Sequence, residues 1–94
     1  VRLFFLVCFD ISDDKKRYRA VKVLKAYGVR VQKSVFECPN LTEHRFVRMK
    51  EQLDAVIDHS TDTFRFYFLC RECVARTEFS GIGEPPVTVS YRII

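Results

Sequence analysis

The stretch Leu3-Phe4-Phe5-Leu6-Val7-Cys8-Phe9-Asp10-Ile11-Ser12-Asp13-Asp14-Lys15-Lys16-Arg17 sets the architecture of this chain. Its first seven residues are apolar without interruption and rich in Phe, Leu and Val. They predict a strand from about Val1 to Phe9, buried on both faces. Asp10 stands where that strand leaves the core and meets solvent. Helix-start chemistry follows at once, with Ser12 as the expected N-cap and two acids in the first turn. A carboxylate fixed at a strand end suits metal or phosphate binding, so Asp10 is the first candidate functional residue.

The helix expected over Asp13–Tyr27 stops at Gly28, which fits a left-handed C-terminal cap. At 100° per residue, Ala20, Val21, Val23, Leu24 and Tyr27 share one face, and Lys15, Arg19, Lys22 and Lys25 share the opposite one. Arg17 falls on the apolar side near the helix start and needs a partner, for which Asp10, at the end of the preceding strand, is a candidate. Val29 to Cys38 alternates with a period of two, disturbed at Gln32–Ser34, as at a bulge or at the junction of two short strands. Pro39-Asn40 is expected to break that strand. Thr42 then caps a second helix running to about Asp58, with Phe46, Met49, Leu53, Val56 and Ile57 as its apolar stripe. Phe64 to Leu69 reads as another strand, whereas Cys70 to Thr77 fits no single period. Val87 to Ile94 alternates as a final strand after the Gly81–Pro86 turn.

This order predicts one α+β domain over residues 1–94. Its core is a ferredoxin-like βαββαβ unit with two helices on one face of a mainly antiparallel sheet. Residues 81–86 link it to the extra C-terminal strand 87–94. The other sheet face is left bare, and a second copy of so apolar a chain is the economical cover, so a homodimer is expected.

Ten Arg and six Lys against twelve acids give a net charge of +4. A basic excess on a small domain points to an acidic partner, nucleic acid first and a membrane surface second. Nothing in Val1–Phe9 resembles a signal peptide, and no apolar run is long enough to span a bilayer. The expected compartment is a reducing cytoplasm, where Cys8 and Cys38 serve as small hydrophobes within strands. No G-x-S-x-G, P-loop or dinucleotide fingerprint occurs, which argues against the familiar hydrolases, NTPases and dehydrogenases.

Each remaining constellation has a functional and a plain reading. Asp10, Asp13 and Asp14 offer hard oxygen ligands for Mg²⁺, while Asp13 and Asp14 also suit the helix dipole as ordinary first-turn acids. The strip Lys15, Arg19, Lys22 and Lys25 has the spacing to follow a phosphate backbone, or is simply a solvated face. Arg30, Lys33, Arg45, Arg48 and Lys50 add weight to binding. Cys70-Arg71-Glu72-Cys73 reads as half a zinc site, a redox pair, or two structural cysteines. A zinc site needs two further ligands, and no second CxxC or HxxxH is present. His44 and His59 are expected at exposed helix positions, with a general-base role as the alternative.

Together, Phe9-Asp10-Ile11-Ser12-Asp13-Asp14, the basic helix, and Gly28-Val29-Arg30-Val31-Gln32-Lys33-Ser34-Val35-Phe36-Glu37 resemble the small CRISPR-associated Cas-two family. Its members are described as metal-dependent endonucleases and as partners of the CRISPR integrase in spacer acquisition. The resemblance covers essentially the whole chain. It implies a ferredoxin-like homodimer whose paired strand-end aspartates, here Asp10, hold a divalent metal such as Mg²⁺. It further implies that Arg17, Arg19 and Arg30 match basic positions near the site, that Phe36 matches the aromatic of the Ser-Val-Phe motif, and that strand 87–94 crosses to the partner. The family usually carries Tyr before the aspartate, and Phe9 removes that hydroxyl here.

Two functions follow. In the first, Asp10 from each subunit holds Mg²⁺ for attack on an RNA or DNA phosphodiester. Arg17, Arg19 and Arg30 bind phosphates, and Phe36 either stacks a base or packs in the core. In the second, the dimer is a non-catalytic scaffold. It clamps duplex DNA through Lys15, Arg19, Lys22 and Lys25 and docks the integrase.

Overall fold

The computed structural model describes residues 2–83 and 86. The strand expected over Val87–Ile94 lies outside them. The elements are β1 (Leu3–Asp10), α1 (Asp14–Lys25), β2 (Val29–Gln32), β3 (Val35–Leu41), α2 (Glu43–Asp54), β4 (Thr63–Leu69) and a short α3 (Arg71–Ala75). The four strands form one sheet in the order β2-β3-β1-β4. Each hydrogen-bonded pair is antiparallel. This is the ferredoxin-like α+β arrangement expected from the chain order.

β1 is apolar from Leu3 to Phe9 because it is the central strand, flanked by β3 and β4. Its odd-numbered residues Phe5, Val7 and Phe9 are buried in a cluster with Ala20, Val21 and Leu24 of α1, Met49 and Leu53 of α2, and Phe36 and Cys38 of β3. Aromatic contacts stitch the layers: the Phe5 and Phe46 rings stack at 4.1 Å, and Phe46 meets Phe66 edge-on at 5.5 Å. Burying each such Leu or Phe contributes about 1.5–3 kcal/mol. The exposed Lys50–Asp54 and Arg76–Glu72 ion pairs belong to a class worth about 0–1 kcal/mol, so packing holds the fold together.

Local details depart from the sequence expectations at several positions. Asp13, not Ser12, caps α1, accepting from the Lys16 backbone N–H at 2.9 Å. Gly28 does not take a left-handed cap; Ala26 ends α1 in right-handed geometry. A Cβ at Gly28 would lie 2.3 Å from the Glu37 carbonyl oxygen and 2.6 Å from the Cys38 sulfur, so close approach to β3 excludes a side chain. The Gln32–Ser34 disturbance is both alternatives at once. Gln32 pairs with Val35 across a two-residue turn, and the register slips between Arg30 and Gln32 as in a bulge.

Pro39-Asn40 does not break its strand. β3 runs through to Leu41, and the slip in pairing between Leu3 and Phe5 accommodates one extra residue. Asn40 sits at φ 67°, a left-handed conformation that Asn tolerates. Thr42 caps α2 as expected, accepting from the Arg45 N–H at 3.1 Å, but the helix ends at Asp54, four residues before its expected limit at Asp58. Cys70 to Thr77, unassigned by period, contains α3.

Candidate nucleic-acid and metal site

Asp10 is the last residue of β1 and is exposed. Strand alternation places it on the sheet face opposite Phe9, away from α1 and α2. Phe4 shares this face and is buried, as is Val74 of α3, whereas Leu6 and Cys8 are half-buried. The face therefore opens progressively along β1 toward Asp10. Pairing adds Thr63 opposite Asp10, Arg65 opposite Cys8, and Tyr67 opposite Leu6, with Val35 and Glu37 on the other side. Burial pushes the Glu37 carboxyl above its ordinary value of 4.5.

The loop after β1 is pinned from two directions, which fixes Asp10. Buried Ile11 anchors it, and its carbonyl accepts from Arg17 Nη1 at 2.8 Å. The Ser12 backbone N–H donates to Asp62 Oδ1 at 3.4 Å. Asp62 is itself buried and also accepts from the Asp58 N–H at 2.9 Å and the Thr61 hydroxyl at 3.1 Å. These donors, led by the Asp58 N–H, hold its carboxyl below the ordinary range. Asp62 was invisible to periodicity because its role is to receive backbone N–H groups from distant loops, which leaves no local pattern.

Arg17 does not pair with Asp10. Its guanidinium is shared between the Ile11 carbonyl and Asp14, so it braces the loop. Arg30 is similarly occupied, donating from Nε and Nη2 to the Lys33 carbonyl at 3.0 and 2.6 Å and closing the β2–β3 turn. A cation on the Asp10 face is Arg65, diagonal to Asp10 across the β1–β4 pair and within 3.4 Å of the Tyr67 hydroxyl. Its signal was present in the sequence: Arg65 and Tyr67 alternate with Phe64, Phe66 and Phe68.

Lys15, Arg19, Lys22 and Lys25 are exposed on the solvent side of α1. They lie beyond the helix layer, on the side of the sheet opposite Asp10. The fold thus separates the basic strip from the strand-end carboxylate. Within the strip, Lys15, Tyr18, Arg19 and Lys22 line a shallow concavity together with Asp14. Tyr18 is 65% exposed, and the Lys22 ammonium lies 5.9 Å from its ring centroid. Phe36, by contrast, is 0% exposed and packs 6.4 Å from Phe9. It is a core aromatic and cannot stack a base, so Tyr18 is the aromatic available beside the cations.

An exposed carboxylate with no side-chain hydrogen bond or ion pair among the described residues suits Mg²⁺, which takes one or two protein carboxylates and fills its octahedron with water and phosphate oxygens. Among the described residues no three His, Cys, Asp or Glu side chains cluster as metal ligands. His44 is exposed on α2, and His59 Nε2 lies 3.0 Å from the Asp54 carbonyl; neither stands by Asp10 in the strand pairing. No helix among the described residues is long and apolar enough to cross a membrane.

The family model described as CRISPR associated protein Cas2 matches residues 3–77. A CRISPR-associated endoribonuclease Cas2 1 of Chloroflexus aurantiacus is 39% identical over 87 residues, covering 92% of each chain. The crystal structure of Streptococcus pyogenes Cas2 superposes with a TM-score of 0.73 at 37% identity, over 83% of this chain and 99% of that one. A chain of a partial Cas6-RT-Cas1–Cas2 complex gives 0.72 at 30% identity, over 92% of this chain and 96% of that one.

Proposed function

This chain belongs to the CRISPR associated protein Cas2 family, and on that premise we propose that it is a CRISPR adaptation protein. It acts in spacer acquisition as a homodimer that binds nucleic acid and docks the CRISPR integrase. The name of the related endoribonuclease and the Cas1–Cas2 complex containing a structural neighbour support this reading. The observation that carries a chemical role is the position of Asp10: a rigidly held, exposed carboxylate on the sheet face that the long helices leave open.

When bound, Mg²⁺ would polarise a phosphodiester and lower the pKa of a coordinated water. Asp10 from each of two subunits would hold it. Arg65, on the same face, would orient a phosphate and offset charge that develops on its oxygens. Arg17 contributes by fixing the Ile11–Ser12 turn and therefore the reach of Asp10.

The scaffold reading is favoured by a separate observation, the placement of the basic strip and Tyr18 away from Asp10. Lys15, Arg19, Lys22 and Lys25 would bind duplex phosphates there without sequence preference, and Tyr18 would stack on a splayed base or a strand end. Nothing in that role needs the carboxylate.

Asp10→Asn separates the two. Purified wild-type and variant proteins are compared with labelled single-stranded RNA and duplex DNA, in Mg²⁺ and in EDTA. The nuclease reading expects cleavage that requires both Mg²⁺ and Asp10, with duplex affinity unchanged in Asp10→Asn. Equal cleavage by both proteins rejects it. Lys15→Glu with Arg19→Glu is expected to weaken duplex binding more than tenfold, and to lower the salt-dependence slope by about 2, one for each phosphate contact removed.

A further inference from the structure

Four cysteines occupy three different environments. Cys38 is fully buried, and burial pushes its thiol up to about 12, which leaves it inert as a nucleophile. Cys8 is half-buried in the central strand. Cys70 and Cys73 are both exposed, and their sulfurs lie 3.3 Å apart. That distance is about 1.2 Å longer than a disulfide of about 2.05 Å, a gap that side-chain rotation alone can close.

The hydrogen bonds around the pair are unequal. Cys70 Sγ accepts from the Cys73 backbone N–H at 3.4 Å and shares a thiol–thiol hydrogen bond with Cys73 Sγ, and these contacts, the backbone N–H foremost, lower the Cys70 pKa. The same thiol–thiol contact raises that of Cys73. The pair is therefore asymmetric: its surroundings favour the thiolate at Cys70 and disfavour it at Cys73. The backbone beneath is fixed: the Val74 N–H donates to the Cys70 carbonyl at 3.0 Å, and Val74 is 2% exposed. Both sulfurs thus share a rigid turn that is open to solvent.

We propose that Cys70 and Cys73 are a redox-active dithiol that closes reversibly to a disulfide by exchange with a low-molecular-weight disulfide, Cys70 being the attacking sulfur. The Cys70 thiolate attacks one sulfur of the small disulfide, forming a mixed disulfide and releasing one small thiolate. Cys73 then gives up its proton and attacks Cys70 Sγ, forming the internal bond and releasing the second thiolate. The two protons of the dithiol end on the two released thiols, and two electrons pass to the small molecule. The inference stands independently of the nucleic-acid role.

The test uses the intact native chain with oxidised glutathione or with dithiothreitol, acid quenching, alkylation of remaining thiols, and peptide mass spectrometry. Trypsin cuts after Arg65, Arg71 and Arg76, so a bridge joins residues 66–71 to residues 72–76. The expected result is that this joined pair appears under oxidising conditions, two hydrogens lighter than the separate peptides, and disappears with dithiothreitol. Cys8 and Cys38 remain available to alkylation after denaturation. Cys73→Ser should trap glutathione on Cys70, which keeps the backbone N–H of residue 73 as donor, whereas Cys70→Ser should load Cys73 more slowly. Absence of the joined peptides overturns the proposal; equal loading rates in the two variants overturn the assignment of Cys70 as nucleophile.

Discussion

Asp62 shows how one side chain fixes a site from a distance. Its carboxylate collects the Ser12 N–H from the end of β1, the Asp58 N–H from beyond α2, and the neighbouring Thr61 hydroxyl. Asn has the same shape and loses the charge that strengthens those bonds. The Asp62 carboxyl titrates below its ordinary 3.8 in the fold, so its contribution is complete above that value and is lost as pH falls through the folded pKa. Asp62→Asn is therefore expected to melt at a lower temperature than wild type at pH 7, with the gap closing as the solution is taken toward pH 2. A gap independent of pH, followed by calorimetry or circular dichroism, would show that Asp62 acts through shape alone. Asp10 was legible as a candidate because an acid abruptly ends an apolar run. Asp62 was not, because nothing near it in sequence marks the three donors that it receives.

The elements that were legible are those whose pattern is set by one long packing face. Ala20, Val21 and Leu24 are buried in α1, and Met49 and Leu53 in α2, at the helical spacing on which they were expected. What escaped reading was set by neighbours distant in sequence. Pro39-Asn40 resembles a break, yet a register slip against Leu3–Phe5 absorbs it within β3. Gly28 resembles a left-handed cap, yet its requirement comes from the backbone of β3, ten residues ahead. Gly28→Ala discriminates these explanations. A cap needing only conformational freedom would lose about 1 kcal/mol, whereas a Cβ placed 2.3 Å from the Glu37 carbonyl must displace β2 or α1 from the sheet. The expected loss is about 2–3 kcal/mol, seen as a lower urea midpoint with unchanged slope. A loss below about 1 kcal/mol would mean that the α1–β2 connection yields easily.

At the scale of the molecule, one face of the sheet is closed by α1 and α2, and the other is left largely open. Val74 of α3 and Phe4 are buried at one end, but Leu6, Cys8, Val35 and Glu37 are only partly covered, and Arg65 and Tyr67 are exposed. Half-buried apolar groups interleaved with charges of both signs suit a two-fold contact, in which the same patch meets itself and opposite charges can be brought together. Such a contact would also place two copies of Asp10 on one interface. Tyr67→Asp tests this because the position is 44% exposed, so the isolated fold tolerates the change while a closed interface would bury an unpaired charge. Light scattering on the full chain at micromolar concentration is expected to give twice the chain mass for wild type and a single chain mass for Tyr67→Asp, with the same helical circular dichroism signal. A variant that remains dimeric would move the interface to another surface. If the variant is monomeric, Mg²⁺-dependent cleavage should vanish with the dimer, whereas salt-sensitive duplex binding through the exposed face of α1 should weaken without being lost. Those two responses would assign the chemistry to the paired sheet face and the phosphate contacts to the helix.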